Sequence, residues 1–388
     1  MYIFTIKFPV LHSFYTSSIF TNSNIFLRYN GGPFLISLLD TLFIGASHLF
    51  HSLYLHGDFS VLSFIMMISV YRAVLACALV LSGATNVLSF PLAARQSAIT
   101  DVDILQFALT LEHLENTFYK QALAKFTEVE FIAAGFDENF VKNLNFVAHD
   151  EEQHVVFLET AIKQAGATPV AACQYNFPIT DVTSFVNLAT VLEGVGVSAY
   201  LGAATAISSK EILNVAAAIT VSEGLHQAIQ RASLLDVVSA NIAGTPLTPN
   251  AIFTIASSFI TACPSTNAAL PFKAFPAIAV NGIPNPAQAI PVNTVASLAM
   301  PGPNPPAIPA TAFVTFVSGI DIISVPAQVV NGAIAVTIPP QASGQIFGLL
   351  TTESLTGTGT LLDETKVIAG PAIMEIQPAS PSIDFTVL

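Results

Sequence analysis

The sequence predicts an α+β fold in separate domains: a four-helix bundle, then a Pro-rich linker, then a small antiparallel β-sandwich. Three observations carry this reading. Residues 100–263 hold four long segments with helical start and stop signals. Nine prolines from Pro271 to Pro306 exclude helix from the next stretch. From Thr311 onward the chain breaks into short β-branched runs separated by turn residues.

The first predicted helix spans Thr100 to Lys125, with Thr100 as cap and Asp101 and Asp103 in the first turn, where the helix dipole favours acids. A second runs from Asp137 to Gln164, and Gly166 follows where a left-handed residue commonly closes a helix. Asp181 opens a third that continues to Ile207. The fourth is expected from Ser208, with Glu211 completing a capping box, to Asp236. A shorter fifth, Pro249 to Thr261, is expected to pack outside the four. The connection 165–180 reaches roughly 50 Å when extended, against roughly 38 Å for a 25-residue helix. It can cross the whole bundle, as a one-crossover topology requires.

Residues 264–310 are expected to be an extended Pro-rich linker and residues 311–380 the sandwich. Its strands are expected at Ala312 to Val317, Ile320 to Ser324, Gln328 to Val330, Ala333 to Ile338, Gln345 to Thr351, Lys366 to Ala369 and Ala372 to Ile376. Asn331-Gly332 is a hairpin signal, and the sandwich is read as immunoglobulin-like.

With 388 residues the chain exceeds what one core usually serves, so two folded domains are expected. A net charge of −13, with only 12 Lys+Arg, argues against a nucleic-acid partner and for attraction of cations. Charged residues make up 10% and hydrophobic ones 53%, which fits either membrane insertion or an apolar extracellular protein. Met66 and Met67, Arg72, the apolar run Ala73 to Leu81 and Ser82-Gly83-Ala84 read as a signal peptide over 66–84. Residues 1–65 show no helical or strand periodicity and are read as an extension upstream of the true start; 85–99 would be a propeptide or linker. A membrane-associated N-terminal segment is the alternative, since Pro33 to Leu55 is fairly apolar. Cleavage after Ala84 removes Cys77 and leaves Cys173 and Cys263, for which a disulfide is the default in an oxidising compartment, geometry permitting. The expected location is secreted or extracellular, including the cell wall.

Beyond residue 66 the chain has four histidines, His113, His149, His154 and His226. Two follow a glutamate by three positions: Glu151-x-x-His154 and Glu223-x-x-His226. Residues three apart share a helix face, so each pair can offer a carboxylate and an imidazole to one metal. The other two helices carry Glu112 with Tyr119 and Glu193 with Tyr200, each Tyr seven residues on and on the same face. The chain thus repeats one helical hairpin. Glu112, Glu151, His154, Glu193, Glu223 and His226 form the ligand set of a dinuclear carboxylate centre, with Tyr119 and Tyr200 as buried partners that orient the glutamates. Glu115 shares the face of Glu112 and is an alternative ligand, while His149 and Glu152 are read as solvated or as supporting the ligands from outside.

Leu111-Glu112-His113-Leu114-Glu115-Asn116-Thr117-Phe118-Tyr119 and Glu193-Gly194-Val195-Gly196-Val197-Ser198-Ala199-Tyr200 resemble the ferritin-like superfamily, in particular fungal ferritin-like-domain proteins of the Rds1 stress-response type, similar to plant desiccation-related proteins. The resemblance covers residues 100–263 and, more loosely, the β segment. It implies a ferritin-like bundle with a dinuclear centre of two Fe or Mn ions, and a chemistry within the superfamily's range of ferroxidase, peroxidase and catalase. Gly224 departs from the pattern and predicts a looser fourth helix. Two functions follow as expectations. One is an oxidoreductase acting on peroxide, O2 or ferrous iron. The other is a non-catalytic secreted stress or cell-wall protein whose metal is structural or absent, and whose β domain meets a surface partner.

Overall fold

The computed structural model describes residues 99–283, 285–330 and 332–387, together with four strands within the first 37 residues. Those strands, β1 (Phe4–Ile6), β2 (Thr16–Thr21), β3 (Asn24–Tyr29) and β4 (Gly32–Ser37), pair in order as an antiparallel meander. Strands form here although the sequence shows no strand alternation: in β3 the apolar residues run consecutively through Ile25, Phe26 and Leu27. The Asn30-Gly31 turn signal between the paired ends Tyr29 and Gly32 was legible. The expected signal peptide 66–84, including Cys77, and the segment 85–98 lie outside the described residues.

Residues 96–388 form one compact unit. Its helices are α1 (Asp101–Lys125), α2 (Glu128–Ala133), α3 (Glu138–Gln164), α4 (Val182–Ala203), α5 (Lys210–Ser233) and α6 (Pro249–Ser257). Thr100 and Asp103 close a capping box on α1, Asp137 caps α3 and Asp181 caps α4, as expected. Gly166 takes φ +80° after α3. The cap of α5 is Ser209, whose hydroxyl receives the Ile212 N–H, and not Ser208, whose backbone N–H instead donates to Asp101. Leu235 at φ +62° follows the end of α5, before Asp236.

The crossover between α3 and α4 is tied down along its length. Gln106 of α1 donates to the Thr168 carbonyl and accepts the Val170 N–H, and His113 Nε2 lies 3.0 Å from the Val170 carbonyl. Further on, β5 (Gln174–Tyr175) pairs with β6 (Ile260–Ala262), and the Cys173–Cys263 disulfide joins the flanks of the two strands. The helix α6 packs outside the four, as expected, against α4 and the strand Val367–Gln377, and its Ala251 and Ile252 are fully buried there. The chain before α6 crosses α4 at Gly202, where a Cβ would stand 1.7 Å from the Leu247 carbonyl oxygen, so only glycine allows the approach.

The strand region consists of two facing sheets. One has the order β15-β11-β10-β14-β16-β8 and the other β12-β13-β9-β7, with β7 (Ala279–Val280), β8 (Ala289–Pro291), β9 (Val295–Ala299), β10 (Phe313–Ser318), β11 (Asp321–Pro326), β12 (Gln328–Val330), β13 (Ala333–Thr337), β14 (Gly344–Thr351), β15 (Gly357–Thr358) and β16 (Val367–Gln377). The expected linker 264–310 is therefore in part sandwich, since β7, β8 and β9 come from it. The β8–β16 pair is parallel, so the sandwich is not wholly antiparallel. The hairpin β12–β13 forms in the expected place, with Val330 opposite Ala333.

On the six-stranded sheet Val314, Phe316, Ile346 and Leu350 face the second sheet, while Val317, Phe347 and Leu349 join the core of the helices. Both faces are buried, which explains why these strands read as nearly continuous apolar runs. The α+β class holds, and the two regions, separate along the chain, share one core. A buried bidentate pair ties them: Arg231 of α5 donates to both carboxylate oxygens of Glu375 on β16, at 2.8 and 2.7 Å.

Candidate metal centre

Four helices each bring one glutamate to the middle of the bundle: Glu112 from α1, Glu151 from α3, Glu193 from α4 and Glu223 from α5. All four are fully buried. The three-residue step from Glu151 and from Glu223 carries His154 and His226 to the same place, their rings 6.1 Å apart and close to parallel.

Two overlapping groups result. In the first, one ligand-type atom each from Glu112, Glu151, His154 and Glu223 lies within 4.8 Å of the others; in the second, the same holds for Glu151, Glu193, Glu223 and His226. Glu151 and Glu223 belong to both. His154 Nδ1 is 3.3 Å from Glu112, 3.6 Å from Glu151 and 3.4 Å from Glu223. His226 Nδ1 is 2.9 Å from Glu151 and 3.3 Å from Glu193.

The tyrosines hold the outer glutamates crosswise. Tyr119 of α1 donates to Glu193 of α4, and Tyr200 of α4 donates to Glu112 of α1. Each tyrosine thus serves the glutamate of the opposite hairpin. Gln230 donates in turn to the Tyr119 hydroxyl. It stands seven residues after Glu223, the same step that placed the tyrosines, and so could have been found from the sequence. Asp150, also missed, lies 3.4 Å from the Nε2 of His226, with the Ser222 hydroxyl 3.3 Å from the same atom.

Other candidates separate cleanly. Glu115 is buried beside the cluster but belongs to neither group. Glu152 faces outward to Lys120 at 2.6 Å and His149 is exposed, so neither reaches the cluster. His113 is buried against the crossover. The looser fourth helix expected from Gly224 is not found, since α5 runs through it without a break. The glycine that matters is Gly196, where a Cβ would stand 2.3 Å from an oxygen of Glu223.

So many buried carboxylates perturb one another. Burial, then the charges of Glu193 and Glu112, push Glu151 up to about 7 against the pull of the two imidazoles. Burial, then Glu151 and Glu115, hold Glu223 well above the usual carboxylate range. Burial disfavours charge on His154 and His226, but contacts with Glu112 and Glu151, and with Glu151 and Glu193, outweigh it and raise the imidazoles to about 10 and about 11. Both oxygens of Glu151 and of Glu223, one of Glu112, and His154 Nδ1 are buried with no hydrogen-bond partner. The 2.9 Å approach of His226 to Glu151 is an ionic contact without hydrogen-bond alignment. Buried polar atoms are ordinarily paired, and oxygens and an imidazole nitrogen converging without partners suit a cation.

Residues 100–236 match the family described as the ferritin-like domain. This part of the chain is a ferritin-like domain. The ferritin-like domain covers all of α1, α3, α4 and α5 and hence every residue of both Glu/His groups. The chain is also similar to Protein rds1 of Schizosaccharomyces pombe (strain 972 / ATCC 24843), 26% identical over 182 residues, which is 46% of this chain and 44% of that protein. The likeness thus spans less than half the length of the curated relative. In the ferritin-like domain the buried Glu/His cluster is compatible with a metal site.

Proposed function

We propose that the ferritin-like domain holds two metal ions, Fe or Mn, one in each Glu/His group, and acts on peroxide, O2 or ferrous iron as a secreted protein. The observation that carries this is the pair of overlapping groups with unpartnered carboxylate oxygens on Glu112, Glu151 and Glu223. Glu112 and His154 would hold one ion and Glu193 and His226 the other, with Glu151 and Glu223 placed to reach both. Ions so bound would supply redox chemistry toward a small oxidant or toward ferrous iron.

The chain's own residues set the conditions. Tyr119 and Tyr200 fix the rotamers of Glu193 and Glu112 through hydrogen bonds. Asp150 and Ser222 lie against Nε2 of His226, which leaves its Nδ1 turned to the cluster. The packed aromatic wall of Phe118 and Phe185 beside Tyr119 keeps water from that side. Secretion is supported by the Cys173–Cys263 disulfide, a bond that persists in oxidising compartments.

The test is turnover after reconstitution of the purified chain with Fe(II) or Mn(II), read as peroxide loss, O2 uptake and ferrous-iron oxidation. Wild-type protein should be active in at least one assay, and Glu223→Ala, which removes a carboxylate common to both groups, should lose at least 100-fold, about 2.7 kcal/mol. A metal-loaded wild type inactive in all three assays would favour the non-catalytic secreted reading.

A further inference from the structure

Below the Glu/His cluster the bundle is not filled. A cavity of about 230 Å³ lies between α1, α3, α4 and α5. It reaches toward the candidate centre at Tyr200, which lines it and donates to Glu112, and at Leu111, the residue before Glu112. Its mouth is where α3 ends and α5 begins, at the exposed Gln164 and Glu211. The lining of α1 from Ile104 to Leu111 gives the cavity a length of about 10 Å.

Small side chains create this space. Ala108, Ala161, Ala199, Ala203 and Ala216 stand on its wall, where larger apolar residues would close it. The rest of the lining is aliphatic or aromatic, apart from Tyr200, Gln164 and Glu211. An apolar cavity of about 150 Å³ stays dry and accepts benzene, so a larger one of the same character takes an apolar guest in preference to water.

We infer that this cavity binds a neutral medium-chain aliphatic molecule of the alcohol or aldehyde class, methyl end inward, beside the adjoining centre. The inference rests on the metal-centre reading only for the orientation that bound Mn(II) would report. Head-group choice follows from the mouth. Glu211 is the only ionised side chain on the wall, with no Lys, Arg or His among the lining residues, so a fatty carboxylate has no partner there. Gln164 offers an amide to a neutral hydroxyl or carbonyl oxygen. Orientation follows from the placement of the polar groups: Gln164 and Glu211 stand at the mouth, while the Tyr200 hydroxyl already gives its proton to Glu112.

The test is titration of 1-octanol and octanoate into the purified full chain by calorimetry, and proton relaxation of bound 1-octanol in the chain loaded with Mn(II). Saturable binding of 1-octanol at one site is expected, with octanoate at least tenfold weaker. Affinity should rise about fourfold per methylene from 1-hexanol to 1-octanol. Ala216→Phe should weaken binding at least tenfold. Phe157→Ala, at a half-exposed wall position where folding is not at stake, should weaken it at least threefold. Relaxation by Mn(II) should be strongest at the terminal methyl. Absence of saturable octanol binding, octanoate binding as tightly, unchanged affinity in both variants, or strongest relaxation at the hydroxyl-bearing carbon would overturn the inference. Octanol binding by a chain that takes up no Mn(II) upholds the cavity's ligand class and overturns the metal-centre reading, so the two fail separately.

Discussion

His154, His226 and Glu151 carry a consequence for stability against pH. All three are raised in the folded chain, to about 10, about 11 and about 7, from 6.5 for histidine and 4.5 for glutamate. Without a metal the folded chain therefore binds more protons here than the unfolded one, and stability falls as pH rises. The imidazolium–carboxylate contacts contribute fully below pH 6.5 and are lost as pH climbs through 10 and 11. Glu151 adds a loss of the same sign between 4.5 and 7. Between pH 7 and 10, where exposed carboxylates are ionised in both states, chelator-treated protein should melt progressively lower. Metal ions take the place of those protons, so the gap between loaded and chelated melting temperatures should widen with pH. Thermal melts across this range check both statements; a chelated protein whose melting temperature rises from pH 7 to 10 would contradict them.

At the scale of elements, the crossover is the part most dependent on a covalent tie. The Cys173–Cys263 bond closes a loop of sequence separation 90. Its loss should cost about 4.6 kcal/mol if chain entropy governs. Urea denaturation of the Cys173→Ser, Cys263→Ser double variant should show this, with the bundle retained by circular dichroism.

The elements also show what a sequence exposes. The helices were readable because capping is local chemistry: Thr100, Asp137 and Asp181 act on their own first turns. The site was readable because helical periodicity converts spacing into a shared face. Ser208 and Ser209 both offer a cap in the sequence; both backbone N–H groups donate to Asp101, more than 100 residues away, and the Ser209 hydroxyl receives the Ile212 N–H. The strands β7 to β9 were hidden because prolines there argue against strand; β8, ending in Pro291, pairs only with β16 at the sheet edge, where proline is tolerated. Asp150 was hidden because its partner His226 lies on another helix, 76 residues on.

Across the whole molecule, the six-stranded sheet gives one face to its partner sheet and the other to the helices. Arg231 is the clearest test of that union, because its guanidinium is the buried partner of Glu375 across the two regions. Arg231→Ala leaves a buried carboxylate uncompensated, at a cost of about 3–5 kcal/mol. Helical and strand signals should then melt together at a lower temperature, and a melting temperature equal to wild type would show that the pair does not couple the regions. The ferritin-like domain and its Glu/His cluster remain the centre of the account, and elemental analysis of metal per chain tests it most directly. Protein purified without chelator, or reconstituted with Fe(II) or Mn(II), should hold about two ions per chain, and Glu151→Ala should lose them; no bound metal after reconstitution, or full occupancy in Glu151→Ala, would contradict the assignment.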